Sequence, residues 1–294
     1  MSWNEFYARY ENLVIYMHGE LKNSEIKQDT LFPLLFLTSK LFLTVNSSSL
    51  TLTTILGDIR KISVEQALTS RIQFTRDMAI KAVIAVTPPD DTIPLLTDIL
   101  ATTVVNTNFV SGKVKILATL FDVVKSLGIP ITEETAMETF NFLEITAQKY
   151  LFTVKEVPKL YDLVIEVFST DLQEQLKKHL FYKYGTLLPL LKISNFAATN
   201  YRQIVKSMIQ YGKDIQVDVA EKSLELLKSP IYEIRFATLQ ALIEFDQLKH
   251  LEKRNEMVNF IESETCPEIK AELSRNNFEL AYNNFSSNIQ NFNT

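Results

Sequence analysis

The sequence predicts an all-α protein of about seven antiparallel helix pairs, and three observations carry that prediction. Apolar residues recur at helical spacing along nearly the whole chain. No run of alternating apolar residues leads into an Asn-Gly or Asp-Gly turn, so hairpin signals are missing. Glycine and proline appear mainly as punctuation at intervals of roughly 15 to 35 residues, the rhythm of helix, short turn, helix.

Taken in order, the pairs fall at roughly 3–45, 50–86, 91–127, 133–169, 171–211, 216–245 and 250–283. The first opens on Ser2 with Glu5 three residues on, a capping box, and contains the apolar run Leu31 to Val45. That run is 15 residues long and carries Lys40, short of the roughly 20 residues that span a bilayer, so it reads as a buried helix. In the second, Leu50 to Ile55 is rich in Thr and Leu but lacks a hairpin turn, and Arg76 is followed by Ala79, Ala82 and Val83. Asp90-Asp91 and Glu133-Glu134 open the third and fourth, where acids meet the positive end of a helix dipole. Ser229-Pro230 opens a helix of the sixth pair, and Thr265 with Glu268 opens one of the seventh. The pairs are expected to form one domain over residues 1–283. The polar segment 284–294, without a charged side chain, is expected to be a flexible tail, with Phe285, Ile289 and Phe292 its only apolar anchors.

Composition narrows the chemistry. The chain has 294 residues, 46% hydrophobic and 22% charged, with 19 Phe and 11 Tyr, so a sizeable core is within reach. The closest of its six glycines, Gly112 and Gly128, lie 16 residues apart, which leaves no glycine-rich phosphate loop or nucleophile elbow. His18, His179 and His250 have no His or Cys at three- or four-residue spacing, so no metal site is expected. The single cysteine, Cys266, rules out an intrachain disulfide and fits a reducing compartment. It falls in a helix-opening turn, where the expected role is that of a small hydrophobe. The first residues lack the basic and apolar regions of a signal peptide, so the expected location is cytoplasm or nucleus. No catalytic residue, cofactor, small-molecule substrate or membrane insertion is expected.

A repeat is legible in the segment Leu226-Leu227-Lys228-Ser229-Pro230-Ile231-Tyr232-Glu233-Ile234-Arg235, which runs on to Ala241-Leu242. A second copy starts at Thr265-Cys266-Pro267-Glu268-Ile269-Lys270, placing Lys270 35 residues after Arg235. Upstream, Arg76 and Val114-Lys115, followed by Ala118 and Phe121, give a spacing of 39, and Lys115 to Arg235 spans 120 residues, room for three periods of about 40. This pattern resembles the HEAT/armadillo-like repeats, two antiparallel helices per unit with an Asp/Ser-Pro turn and a Val-Arg or Ile-Lys pair opening the second helix. The resemblance is clear over Leu226 to Leu273, fair over Ile72 to Phe121 and poor over Lys125 to Lys213. It implies an α-α superhelix, or solenoid, and the family's role: a surface presented to peptides, helices or other subunits in transport, chromosome-organising, RNA-processing and cytoskeletal assemblies.

The charge distribution names a candidate face. Net charge is -5, yet acids stop at Glu174 and resume at Asp214, while Lys177, Lys178, Lys183, Lys192, Arg202, Lys206 and Lys213 lie between. Tyr182 and Tyr201 are interleaved with them, a mixture suited to an acidic, aromatic peptide. The preceding stretch, residues 82–148, is acidic. The leading function is therefore a non-catalytic interaction scaffold or adaptor subunit that binds an acidic protein segment through residues 175–213. The same cations would also serve a nucleic-acid-binding module, against which the acidic half of the chain counts. A charge run of this kind is also the ordinary solvated face of a helical repeat.

Overall fold

Helix periodicity becomes fourteen α-helices, with no strand, among the residues that the computed structural model describes: 3–23, 25–40, 50–152, 154–191, 198–247, 251 and 255–275. They come in seven pairs: α1 (Trp3–Leu21) with α2 (Gln28–Thr38), α3 (Leu50–Thr69) with α4 (Gln73–Ala85), α5 (Thr92–Ala101) with α6 (Thr107–Leu127), α7 (Glu133–Phe142) with α8 (Glu156–Ile165), α9 (Thr170–Leu187) with α10 (Ala198–Asp214), α11 (Ala220–Leu227) with α12 (Tyr232–Glu244), and α13 (Asn255–Ser263) with α14 (Pro267–Arg275). Local chemistry sets several ends. The Asn106 side chain accepts from the Phe109 amide to cap α6, and Thr132 does the same for Thr135 at α7, where Glu133 and Glu134 fill the first turn. The proposed cap at Ser2 and the tail 284–294 lie outside the described residues.

Glycine as punctuation is corrected by the structure. Gly128 alone of the six ends a helix, at φ 67°, with the Ile129 amide donating to the Val124 carbonyl; the other five lie inside helices. In α10 and α12 the same left-handed terminus is taken by Gln216 (φ 55°) and Asp246 (φ 56°). Gly112 instead lets α6 run against the α3 backbone.

The packing resolves into two compact units, residues 1–149 with 159–167 and residues 150–158 with 168–294. In the first, α1, α3, α5 and α7 form one layer and α2, α4 and α6 a second. In the second unit, α9, α11 and α13 form one layer and α10, α12 and α14 the other. Each layer buries its apolar stripe on the other. Met17, Ile59, Leu96 and Leu117 fill the first unit's core, and Phe181, Tyr184, Ile204 and Leu242 the second's.

A polar signature repeats with the pairs. Arg76 is the fourth residue of α4, and its guanidinium donates to the carbonyls of Ser70 (2.9 Å) and Arg71 (3.2 Å). Arg235 is the fourth residue of α12 and donates to Ser229 (3.0 Å) and Pro230 (3.4 Å), the same offsets. In both turns the serine hydroxyl accepts from the amide two residues on, Ile72 or Ile231. Lys270 is the fourth residue of α14, as its register with Arg235 predicts, but it is exposed. The serine's place in that turn is taken by Glu264, which accepts from the Cys266 amide at 2.8 Å; Glu264, rather than Thr265, makes the polar contact. In the third pair the buried cation is Lys113 and not Lys115, which reaches back to Asp77 at 2.5 Å.

Lys113, 2% exposed, donates to the carbonyls of Leu100 and Thr102, both at 2.8 Å, and lies 4.5 Å from the centre of the Phe142 ring. It ties the end of α5 to α6 and α7. Burial pushes its ammonium down from 10.5 to about 8. Between those values the unfolded chain holds more protons than the folded one, so stability rises with pH across that window, by at most about 3 kcal/mol. The neutral amine keeps two N–H donors for its two carbonyls. Urea unfolding at pH 7.5 and pH 10 is expected to show this rise in the wild type and to lose it in Lys113→Met. Parallel pH profiles in the two proteins would disprove it.

Candidate functional site

The acid-free window is built on α9 and α10, both in the second unit. Their interface buries Phe181 and Tyr184 of α9, the latter stacked on Tyr211 of α10 at 6.4 Å between ring centres. Helical geometry then fixes what faces away. Tyr182 lies about 200° around α9 from Tyr184, and Arg202 about 180° around α10 from Tyr211, at about 100° per residue. Lys178 and Tyr182 therefore leave α9, and Arg202 leaves α10, away from the interface between the two helices, one set from each layer.

The structure gives several of the window's cations partners that sequence order hid. Lys177 pairs with Asp214 at 2.7 Å and Lys206 with Glu244 at 2.5 Å, each bridging 37 or 38 residues. Lys206 and Lys213 both lie 5.8 Å from the centre of the Phe245 ring. Lys178, Arg202 and Lys213 are exposed, and Lys183 is half-buried. Of the two rings, Tyr182 is 48% exposed, whereas Tyr201 is 2% exposed and sits 6.2 Å from Phe152 in the core. Lys192 lies outside the described residues, as do His250 and the tail aromatics.

Two neighbours of the window were missed by sequence reasoning. Leu190, in the 3-10 turn Leu188–Leu190 that ends α9, is 70% exposed. Lys222 of α11 crosses α9 at Gly185, where a Cβ would meet its Cδ at 3.1 Å. The glycine is what admits the lysine stem.

Elsewhere, a cleft of about 510 Å³ opens between α3 and α5. Three of its charged groups are engaged with each other or with α1: Arg60 bonds Asp91 at 2.7 Å, and Lys22 and His18 beside Asp58 hold that carboxyl below its usual range. Cys266, half-buried, donates to a Glu268 carboxylate oxygen at 2.9 Å. Among the described residues, no helix is long and apolar enough to cross a membrane.

Residues 1–120 match the model of a family described as Trm732, C-terminal TPR repeats. The match covers 120 of the 294 residues, from α1 to most of α6. No curated protein and no solved structure matches the chain. The first three helix pairs are thus similar to TPR-type helical repeats, and the coarse reading as an α-helical repeat protein agrees with the helical packing; the family matched is not the HEAT one.

Proposed function

We propose that the chain is a non-catalytic interaction scaffold or adaptor subunit of a larger complex in the cytoplasm or nucleus. Helical repeats generally serve protein–protein contacts. We further propose that it binds an acidic protein segment through the 175–213 region. The repeats are taken as one HEAT/armadillo-like domain over residues 1–283, clearest over Leu226 to Leu273, with a tail at 284–294. The HEAT-like reading draws on the shared offsets of Arg76 and Arg235 from their turn carbonyls.

The observation that supports the binding reading is the absence of any acid between Glu174 and Asp214, with Lys178, Arg202 and Lys213 exposed within that span. Exposed ion pairs are individually weak, so affinity falls steeply with salt. In affinity capture from the native cell, the triple variant Lys178→Glu, Arg202→Glu, Lys213→Glu is expected to lose partners that the wild type retains. A control with Lys27, Lys61 and Lys81 reversed to Glu keeps them. Equal capture by both variants would show a merely solvated face. Tight retention of the wild type on mixed-sequence oligonucleotide at moderate salt would replace a protein partner with nucleic acid.

A further inference from the structure

We infer that the acidic partner segment is an amphipathic helix that docks along the outward side of α9 rather than on α10. This rests on the reading above, that the 175–213 region takes an acidic protein segment. Two cationic surfaces leave the α9–α10 pair, and the apolar side chains distinguish them. Among the described residues of the second unit, the large hydrophobic side chains left exposed are Tyr182 (48%) and Leu190 (70%). Both belong to α9 and the turn that ends it, whereas α10 exposes none. Lys178, Tyr182 and Thr186 follow one another at four-residue steps along one side of α9, and Leu190 stands four residues further on, in the 3-10 turn that continues the row.

Lys222 adds a second cation to this row from α11. Its stem lies across Gly185 and its ammonium bonds Glu225 at 3.2 Å, at the edge of the row. Tyr182 and Leu190 stand about 13 Å apart along the axis, at about 1.5 Å per residue to the end of α9 and about 2.0 Å through the 3-10 turn. A helix laid alongside would meet both with apolar residues two turns apart, and acids flanking that row would face Lys178 and Lys222. An aromatic anchor, an aliphatic anchor and a cationic rim are the elements of a helix-docking site. The α10 side offers Arg202 and Lys213 without an exposed apolar anchor, a surface that holds charge without holding a helix.

The probe is a designed 18-residue helix with a leucine row flanked by glutamates, and its counterpart with lysines in place of the glutamates. Fluorescence anisotropy with the full chain is expected to show binding of the acidic helix and at least about tenfold weaker binding of the basic one. Tyr182→Ala with Leu190→Ala is expected to weaken the acidic helix by about tenfold or more, and Arg202→Glu with Lys213→Glu by less than about threefold. Tyr182 is half-exposed and its ring meets that of Phe181 edge-on at 5.2 Å, so Leu190→Gln alone, checked by circular dichroism, gives the same sign should the double variant lose helix. If the α10 reversals abolish binding and the α9 truncations do not, this inference fails while the acidic-partner reading stands. If the acidic and basic helices bind alike, or neither binds, the acidic-partner reading fails with it. Preferential binding to phosphatidylserine vesicles over the acidic helix overturns both.

Discussion

Replacing Gly112 with alanine is expected to destabilise the first unit by about 3 kcal/mol or more, because the added methyl has nowhere to go. A Cβ at Gly112 would sit 2.1 Å from the Ala67 carbonyl oxygen and 3.0 Å from its carbon. Both belong to the backbone of α3, so no rotamer change relieves the overlap; α6 must move away from α3 and open the layers between them. The control is Gly57→Ala, also inside a helix, where nothing lies within 4 Å of the new methyl. There the better helix propensity and the smaller unfolded-state entropy of alanine are expected to add about 0.5–1 kcal/mol. Urea unfolding of the two variants beside the wild type should thus give shifts of opposite sign. A Gly112→Ala protein as stable as Gly57→Ala would show that α6 does not approach α3 in this way.

The same glycines show where the sequence could be read and where it could not. Helix positions follow from local periodicity and caps, so the seven pairs were legible to within a few residues, Ser229-Pro230 and Arg235 among the clearest signs. Gly112 and Gly185 looked like breaks because a close approach depends on a partner helix far along the chain: Ala67 for one, Lys222 for the other. The repeat through 125–213 was hidden for a related reason. There it is written in ion pairs one repeat apart, Lys159 of α8 with Asp122 of α6 and Lys125 of α6 with Glu166 just past α8, rather than in a turn motif. Charge counting found the cations of the candidate face but not their anions, since Lys177 meets Asp214 and Lys206 meets Glu244 only once the pairs have packed. Tyr201 was within reach: Tyr201, Ile204, Val205, Met208 and Tyr211 form an apolar row at helical spacing, which marks a core position. Tyr182, set among Leu180, Phe181 and Tyr184, could not be separated from the core by sequence.

Removing the carboxylate of Glu264 is expected to have the largest effect in the second unit, about 3 kcal/mol, and to free α13 and α14 first. Glu264 lies in the turn between these helices with its side chain 2% exposed. Arg235 of α12 grips it with two bonds, Nε to one oxygen at 2.8 Å and Nη2 to the other at 3.2 Å. The amides of Thr265 and Cys266 donate to it at 2.9 and 2.8 Å. Glu264→Ala leaves a guanidinium 19% exposed with only its turn carbonyls, and two amides without their acceptor. Burial raises the pKa of this carboxyl, but Arg235 and the two amides together outweigh it, and the net shift is downward from 4.5. The unfolded chain therefore takes up the proton first as the solution is acidified. The stabilisation is complete above about pH 4.5 and is lost as pH falls through the lower folded value, a limb that Glu264→Ala should lack. Glu264→Gln keeps an acceptor for the amides and gives up the charge, so it should fall between the two. Arg235→Met with Glu264→Leu, which buries no lone charge, should recover most of the loss. Hydrogen exchange resolved by peptide locates the effect, with protection lost in 255–275 before 198–247. If Glu264→Ala and the wild type unfold within about 0.5 kcal/mol of each other, the pair is worth no more than a surface ion pair and α14 is held to α12 by its apolar contacts, Ile269 and Leu273, alone.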